Sequence, residues 1–208
     1  MWQDLIIERL IWWIPLVLSI TVHEWAHAAS ASWLGDDTAR LLGRNTLNPL
    51  AHIDPVGTVL LPLLGIPFGW AEPVPINPIR FRRNVSMKLG VLIVAIAGPI
   101  SNFCLAGLCW LLLKLLVAAQ FGDAEILEGL SNVMALNLLL AFFNLLPIPP
   151  LDGSRVVDSL MPAGWRPLWN SFSRFGYVLL LALILIPQFV TDFNLIHWFL
   201  QTPSSHRP

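Results

Sequence analysis

Two imidazoles and a carboxylate, His23, Glu24 and His27, stand close together in an otherwise apolar run. The histidines are four apart, so a helix stacks both rings on one face, as a shared metal ion requires. Glu24 falls beside them, where its carboxylate reaches a water on such an ion. Each ionisable group at bilayer depth costs about 2.5–3.5 kcal/mol on insertion scales, so three together need a purpose. The spacing is H-E-x-x-H, the arrangement of metal-assisted peptide hydrolysis, set in a stretch long enough to cross a membrane. Reading the pair as core histidines bonded to backbone carbonyls leaves Glu24 unexplained.

Two histidines do not complete a catalytic zinc site, which needs a third protein ligand and an open position. The candidates are His52, Asp54, Glu72, Asp152 and Asp158. Asp152 is favoured because Pro147, Pro149 and Pro150 break the helix before it and let its side chain turn inward. His52 is the alternative. Spacing alone does not decide between them. Asp54 is expected to cap a turn ahead of the next apolar stretch.

The composition says what surrounds these groups. Of 208 residues, 56% are hydrophobic and 12% charged, about half the charged share of a soluble domain. An all-α polytopic membrane protein is expected, with about four transmembrane helices plus a re-entrant or short hairpin segment. Net charge of −1 argues against a nucleic-acid partner. Cys104 and Cys109 are not on one helical face and read as small buried apolar residues. The first apolar run has no basic leader and carries the motif itself, so it is expected to be retained.

Five segments can meet the membrane. The first runs from about Leu10 to Leu34 and stops at Gly35-Asp36-Asp37. The second, Pro55 to Trp70, is short and broken by Pro62, Gly65, Pro67 and Gly69, which favours a re-entrant loop or shallow hairpin. The third, Lys88 to Ala119, holds Gly98-Pro99 as a kink site. The fourth begins near Ser131 and is helical to about Leu146, and Asp152 follows in non-helical backbone. The fifth covers Phe175 to Leu200, with Pro187 as a candidate break. Residues 1–201 thus form a single membrane-embedded domain, and residues 202–208 a disordered tail. The tryptophans, among them Trp12, Trp33 and Trp70, suit membrane interfaces.

Loop charges orient the spans. Arg80, Arg82, Arg83 and Lys88 lie in one loop and Arg155, Arg166 and Arg174 in another, whereas the loop from Gln120 to Leu130 is acidic. The basic loops are expected in the cytoplasm, provided that the second segment does not fully cross. The motif and Asp152 then share a pocket toward the cytoplasmic side of the cell membrane.

Further elements carry a family likeness. His23-Glu24-Trp25-Ala26-His27, Gly98-Pro99-Ile100-Ser101-Asn102 and the run from Asn144 through Pro147-Ile148-Pro149-Pro150 to Leu151-Asp152-Gly153 together resemble the site-2 protease family of intramembrane zinc metalloproteases. The segment Leu47 to Gly57 also resembles compact members, and the likeness spans about Ile20 to Arg155. The resemblance implies one zinc per chain, with Asp152 as third ligand beside His23 and His27, and Glu24 as general base. It also implies Asn144 near the catalytic water or substrate, with Asn102 and His52 as lesser candidates for contact. The implied partners are the lipid bilayer and a protein substrate cut in or near a transmembrane segment.

Three departures accompany the likeness. The chain is expected to lack the PDZ-type domain of larger relatives, so a separate adaptor is a candidate for substrate selection. Ser154 stands where relatives have a second glycine, and Glu72 where many compact members have a basic residue. The rival readings are a divalent-metal transporter, which lacks the inverted repeat it would need, and a catalytically silent adaptor, which has no need of Glu24. Substrate is expected to bind extended, against edges such as Leu41-Leu42-Gly43 or Val74-Pro75-Ile76.

Overall fold

A computed structural model describes residues 2–60 and 69–190, with side chains at 13–60 and 69–183. The described residues are helical, with no strand among them. Helix α1 spans Trp2–Trp33 and is followed by a short α2 at Thr38–Leu41. Helices α3, Met87–Ala118, and α4, Ala124–Asn144, are long and apolar enough to cross a membrane. Then come α5 at Asp152–Leu160, α6 at Arg166–Ser173 and α7 at Gly176–Val190. Helix α3 is the hub, packing against α1, α4 and α5.

Small residues let α1 and α3 approach closely. Ala31 on α1 and Ala95 and Gly98 on α3 are all buried, the kind of surface that membrane helices use to pack without a hydrophobic driving force. Elsewhere on α3, Leu108, Trp110, Leu111, Leu115 and Val117 face outward, as lipid contact demands.

Helix α1 stops where the sequence indicates. Gly35 adopts φ +110, and the amides of Gly35 and Asp36 bond the carbonyls of Ser32 and Ala31 at 3.0 and 2.9 Å. This is a Schellman closure, which needs a residue free of a Cβ penalty at that position. Here the space is also taken, since a Cβ on Gly35 would lie 2.9 Å from the Arg82 side chain.

Beyond α1, residues 69–77 form a strap without regular structure that is fastened to that helix. A carboxylate oxygen of Glu24 accepts the Val74 amide at 2.9 Å, and Asp36 accepts the Asn77 amide at 2.6 Å. Farther along, the Arg82 amide bonds the Leu34 carbonyl at 2.8 Å. Asp36 is fully buried and also accepts from the Thr38 amide and hydroxyl. Asp36→Ala would leave the part-buried Asn77 and Thr38 donors without their acceptor, at a cost of about 1 kcal/mol for the Asn77 amide alone. We expect a lower melting temperature in detergent and faster proteolysis within 69–80; an unchanged melting temperature would show that the strap is held by other means.

Several expectations need correction. The fourth segment begins at Ala124 rather than near Ser131, because Asp123 caps the Ile126 amide at 3.0 Å and starts the helix early. Asp152 is not in non-helical backbone: it is the first residue of α5. The prolines bar helix only up to Pro150, and an acidic side chain suits a helix N-terminus. Leu41-Leu42-Gly43 is no extended edge, since it ends α2 and its amides bond Asp37, Thr38 and Arg40 carbonyls. Val74 is buried and its amide is committed to Glu24. Helix α7 runs unbroken past Pro187, the candidate break, to Val190. Residues 61–68 of the second segment, the end of the fifth and the 202–208 tail lie outside the described residues. What is described of the second segment is a π-helical turn at Pro55–Leu60.

Candidate metal centre

Helix α1 presents His23 and His27 one turn apart, and α5 presents Asp152 opposite them. The three side chains are buried, with 6%, 4% and 7% of their residue surfaces exposed. The Asp152 Oδ2 lies 3.0 Å from His23 Nε2 and 3.1 Å from His27 Nε2, and the two Nε2 atoms are 3.1 Å apart. This near-equilateral triangle comes close to the roughly 3.3 Å edge of a tetrahedron with metal–ligand bonds of about 2.0–2.1 Å.

The far side of each ring determines what the triangle is for. His27 Nδ1 donates to the Val94 carbonyl at 2.7 Å, and a carbonyl can only accept. His23 Nδ1 donates to the Asn102 Oδ1 at 2.6 Å. With a proton on each Nδ1, both neutral rings direct an Nε2 lone pair at the other and at the carboxylate. Three acceptors with no hydrogen between them repel one another unless a cation lies among them. This donor set, two imidazoles and one carboxylate, is that of a zinc site. Among the described residues these three alone form such a group.

Two glycines make room for the arrangement. A Cβ on Gly98 would lie 2.5 Å from His27 Nε2 and 2.6 Å from His23 Nε2, so only a glycine leaves the space before the imidazoles clear. A Cβ on Gly153 would meet the Leu145 and Leu146 carbonyls. Glycine there lets the start of α5 press onto the end of α4 and carry Asp152 inward.

Residues 116–187 match the model of peptidase family M50. Over 179 residues, 84% of this chain and 80% of the relative, the sequence is 42% identical to "Putative zinc metalloprotease YwhC" of Bacillus subtilis. The chain belongs to the M50 peptidases, the site-2 protease family. It is 30% identical over 188 residues to "Putative zinc metalloprotease Rip2" of Mycolicibacterium smegmatis, covering 88% of this chain and 70% of that one. With "Zinc metalloprotease MJ0392" of Methanocaldococcus jannaschii the identity is 26%, over 88% of this chain and 44% of the relative. No solved structure matches the chain. This M50 peptidase is thus a zinc metalloprotease and a membrane protein.

The other expected site residues of this M50 peptidase divide in two. Asn102 joins the centre through His23 and is fully buried. Glu24 stands beside it, its carboxylate steadied by the Val74 amide. Asn144 instead bonds the Leu140 carbonyl on its own helix at 3.0 Å. His52 is buried, with Nε2 2.9 Å from the Thr46 carbonyl, outside the metal group. The remaining third-ligand candidates are otherwise engaged. Asp54 caps the Val56 and Gly57 amides, Glu72 pairs with Arg44 at 2.8 Å, and Asp158 faces Arg166.

Two participants were not singled out in the sequence, and Val74 was named there only as part of a substrate edge. Asn137 and Ser19 reach Asn102 from α4 and α1. An asparagine among the apolar residues of α4 was a readable signal, since amides there need partners. The Val74 amide left no such signal, because a backbone N–H is common to every residue but proline.

Proposed function

We propose that this chain is an intramembrane endopeptidase that hydrolyses a peptide bond in or near a transmembrane segment of a protein substrate. The observation that carries the reading is the convergence of three acceptor atoms, His23 Nε2, His27 Nε2 and Asp152 Oδ2, within 3.1 Å of one another. These residues would hold one zinc ion. Zinc there supplies Lewis acidity and lowers the pKa of a coordinated water to about 7.

The remaining work falls to the chain itself. Glu24 accepts the proton of the attacking water and returns it to the leaving amine. The Val74 amide donates to one Glu24 oxygen and leaves the other as the basic site. Asn102 and the Val94 carbonyl keep the rings turned so that Nε2, not Nδ1, faces the reacting centre. Asn144 is assigned the oxyanion side, where its amide can donate once substrate is present.

In the membrane, we assign about four spans. The basic loops and the active site face the cytoplasm. Apolar α3 and α4 and the charge asymmetry of the loops support this arrangement.

Metal removal tests the function directly. Purified protein in lipid vesicles, with a single-span reporter, should carry one zinc per chain. A chelator should bring cleavage to background, and zinc should restore it. Cleavage that persists in zinc-free protein, or zinc flux across the vesicle without cleavage, would overturn the reading.

A further inference from the structure

Behind His23 runs a line of buried amides whose direction is fixed from its far end. The Asn137 Nδ2 donates to the Val133 carbonyl at 2.9 Å and to the Ser19 hydroxyl oxygen at 3.0 Å. Since a carbonyl cannot donate, the Asn137 amide nitrogen must face Val133, and its Oδ1 must face the other way. That oxygen accepts from Asn102 Nδ2 at 2.9 Å. Asn102 Oδ1 is thereby left for His23 Nδ1 at 2.6 Å. The Ser19 carbonyl, 3.4 Å from Asn102 Nδ2, gives weaker support in the same sense.

We infer that Asn137 is a positioning residue for the metal centre: it orients Asn102, and Asn102 in turn keeps the His23 proton on Nδ1 and the Nε2 lone pair free. The two histidines differ in this need. His27 is held by a backbone carbonyl that has only one possible role, whereas the Asn102 side chain has an oxygen and a nitrogen of nearly equal shape. Turned over, it would offer N–H to His23 Nδ1, move the ring proton to Nε2 and block the ligand position. Asn137 makes that inversion costly, because two acceptor oxygens would then face each other in a buried site. Asn102 and Asn137 are both about fully buried, at 0% and 1% exposure, so no bulk water can compensate.

The inference rests on the proposed role of His23 as a ligand, and two readouts separate the claims. The first is the tautomer of His23 in zinc-free protein labelled with 15N at histidine, its signal identified by its loss in His23→Asn. The second is zinc affinity by competition with a chelator. At a pH that leaves both rings of the empty site neutral, wild type should show the Nδ1–H form alone. Asn137→Leu, similar in size but without an acceptor, should populate the Nε2–H form and weaken zinc binding about tenfold, the lower end for outer partners of a ligand. Asn137→Asp, neutral at this buried position, donates its carboxyl O–H to the Val133 carbonyl, keeps an acceptor oxygen toward Asn102 and should retain the wild-type tautomer and an affinity within about threefold. Where leucine disturbs folding, Asn137→Met fills the same space with a flexible chain and carries the same expectation.

An apolar variant that folds and keeps both the wild-type tautomer and the wild-type affinity overturns the inference. So does an equal loss in Asn137→Asp and Asn137→Leu, which would mark a packing role. Wild type that fails to bind zinc while the tautomers respond as stated overturns the ligand role of His23 and leaves the amide relay standing.

Discussion

Glu24→Gln is expected to keep its zinc and its fold and to lose cleavage. Glutamine has the same shape, and its amide oxygen accepts the Val74 N–H that the carboxylate accepts at 2.9 Å. The strap therefore stays fastened. A neutral amide has no affinity for the proton of an attacking water, and loss of a general base costs about 10²–10⁴ in rate. Zinc per chain and the melting temperature should match wild type, while turnover of a single-span reporter falls by at least a hundredfold. Undiminished turnover would show that another group takes the proton. Loss of zinc would instead move Glu24 into the ligand set.

Gly98→Ala tests the centre from the opposite helix. By backbone propensity alone the change should favour α3 by about 0.5–1 kcal/mol, since glycine is a poor residue within a helix. The site predicts the opposite outcome for metal. The added methyl lies 2.5 Å from His27 Nε2 and 2.6 Å from His23 Cε1 and Nε2, well inside carbon–nitrogen contact. The rings cannot yield cheaply, because Asn102 and the Val94 carbonyl hold them at 2.6 and 2.7 Å. We expect helical content to be retained, zinc to fall well below one per chain, and cleavage to fall with it. A Gly98→Ala protein with full zinc would mean that the ion lies away from the face of α3.

Much of this was legible because it followed local rules. Gly35 ended α1 where a φ-permissive residue was needed, and the apolar run from Lys88 to Ala119 appeared as α3 at Met87–Ala118. His23, Glu24 and His27 were recognisable because they share one helical turn. Asp152 was different. It stands 125 residues beyond His27, and local spacing could not choose it over His52; family likeness singled it out, and packing brings its Oδ2 to 3.1 Å from His27 Nε2. Helix α5 was missed because the prolines before it were allowed to speak for the residues after it. The early start of α4 was missed because Glu125 and Glu128 were read as loop, although Asp123 is a good N-cap. The link from Asn137 to His23 crosses 114 positions and exists only once α1, α3 and α4 are packed (137 − 23).

Helix α1 behaves as a keyed shaft. At successive heights it engages Asn137 through Ser19, Asn102 through His23, the strap through Glu24, α3 through His27 and the Arg82 amide through Leu34. These keys extend over about 22 Å of its length at 1.5 Å per residue. Adding one residue between Ser19 and Leu34 would turn everything beyond it by about 100° and lift it by about 1.5 Å. No partial fit is then on offer, for the keys on either side of the insertion cannot seat together. The same residue added ahead of Val17 would pass all of them in their locks.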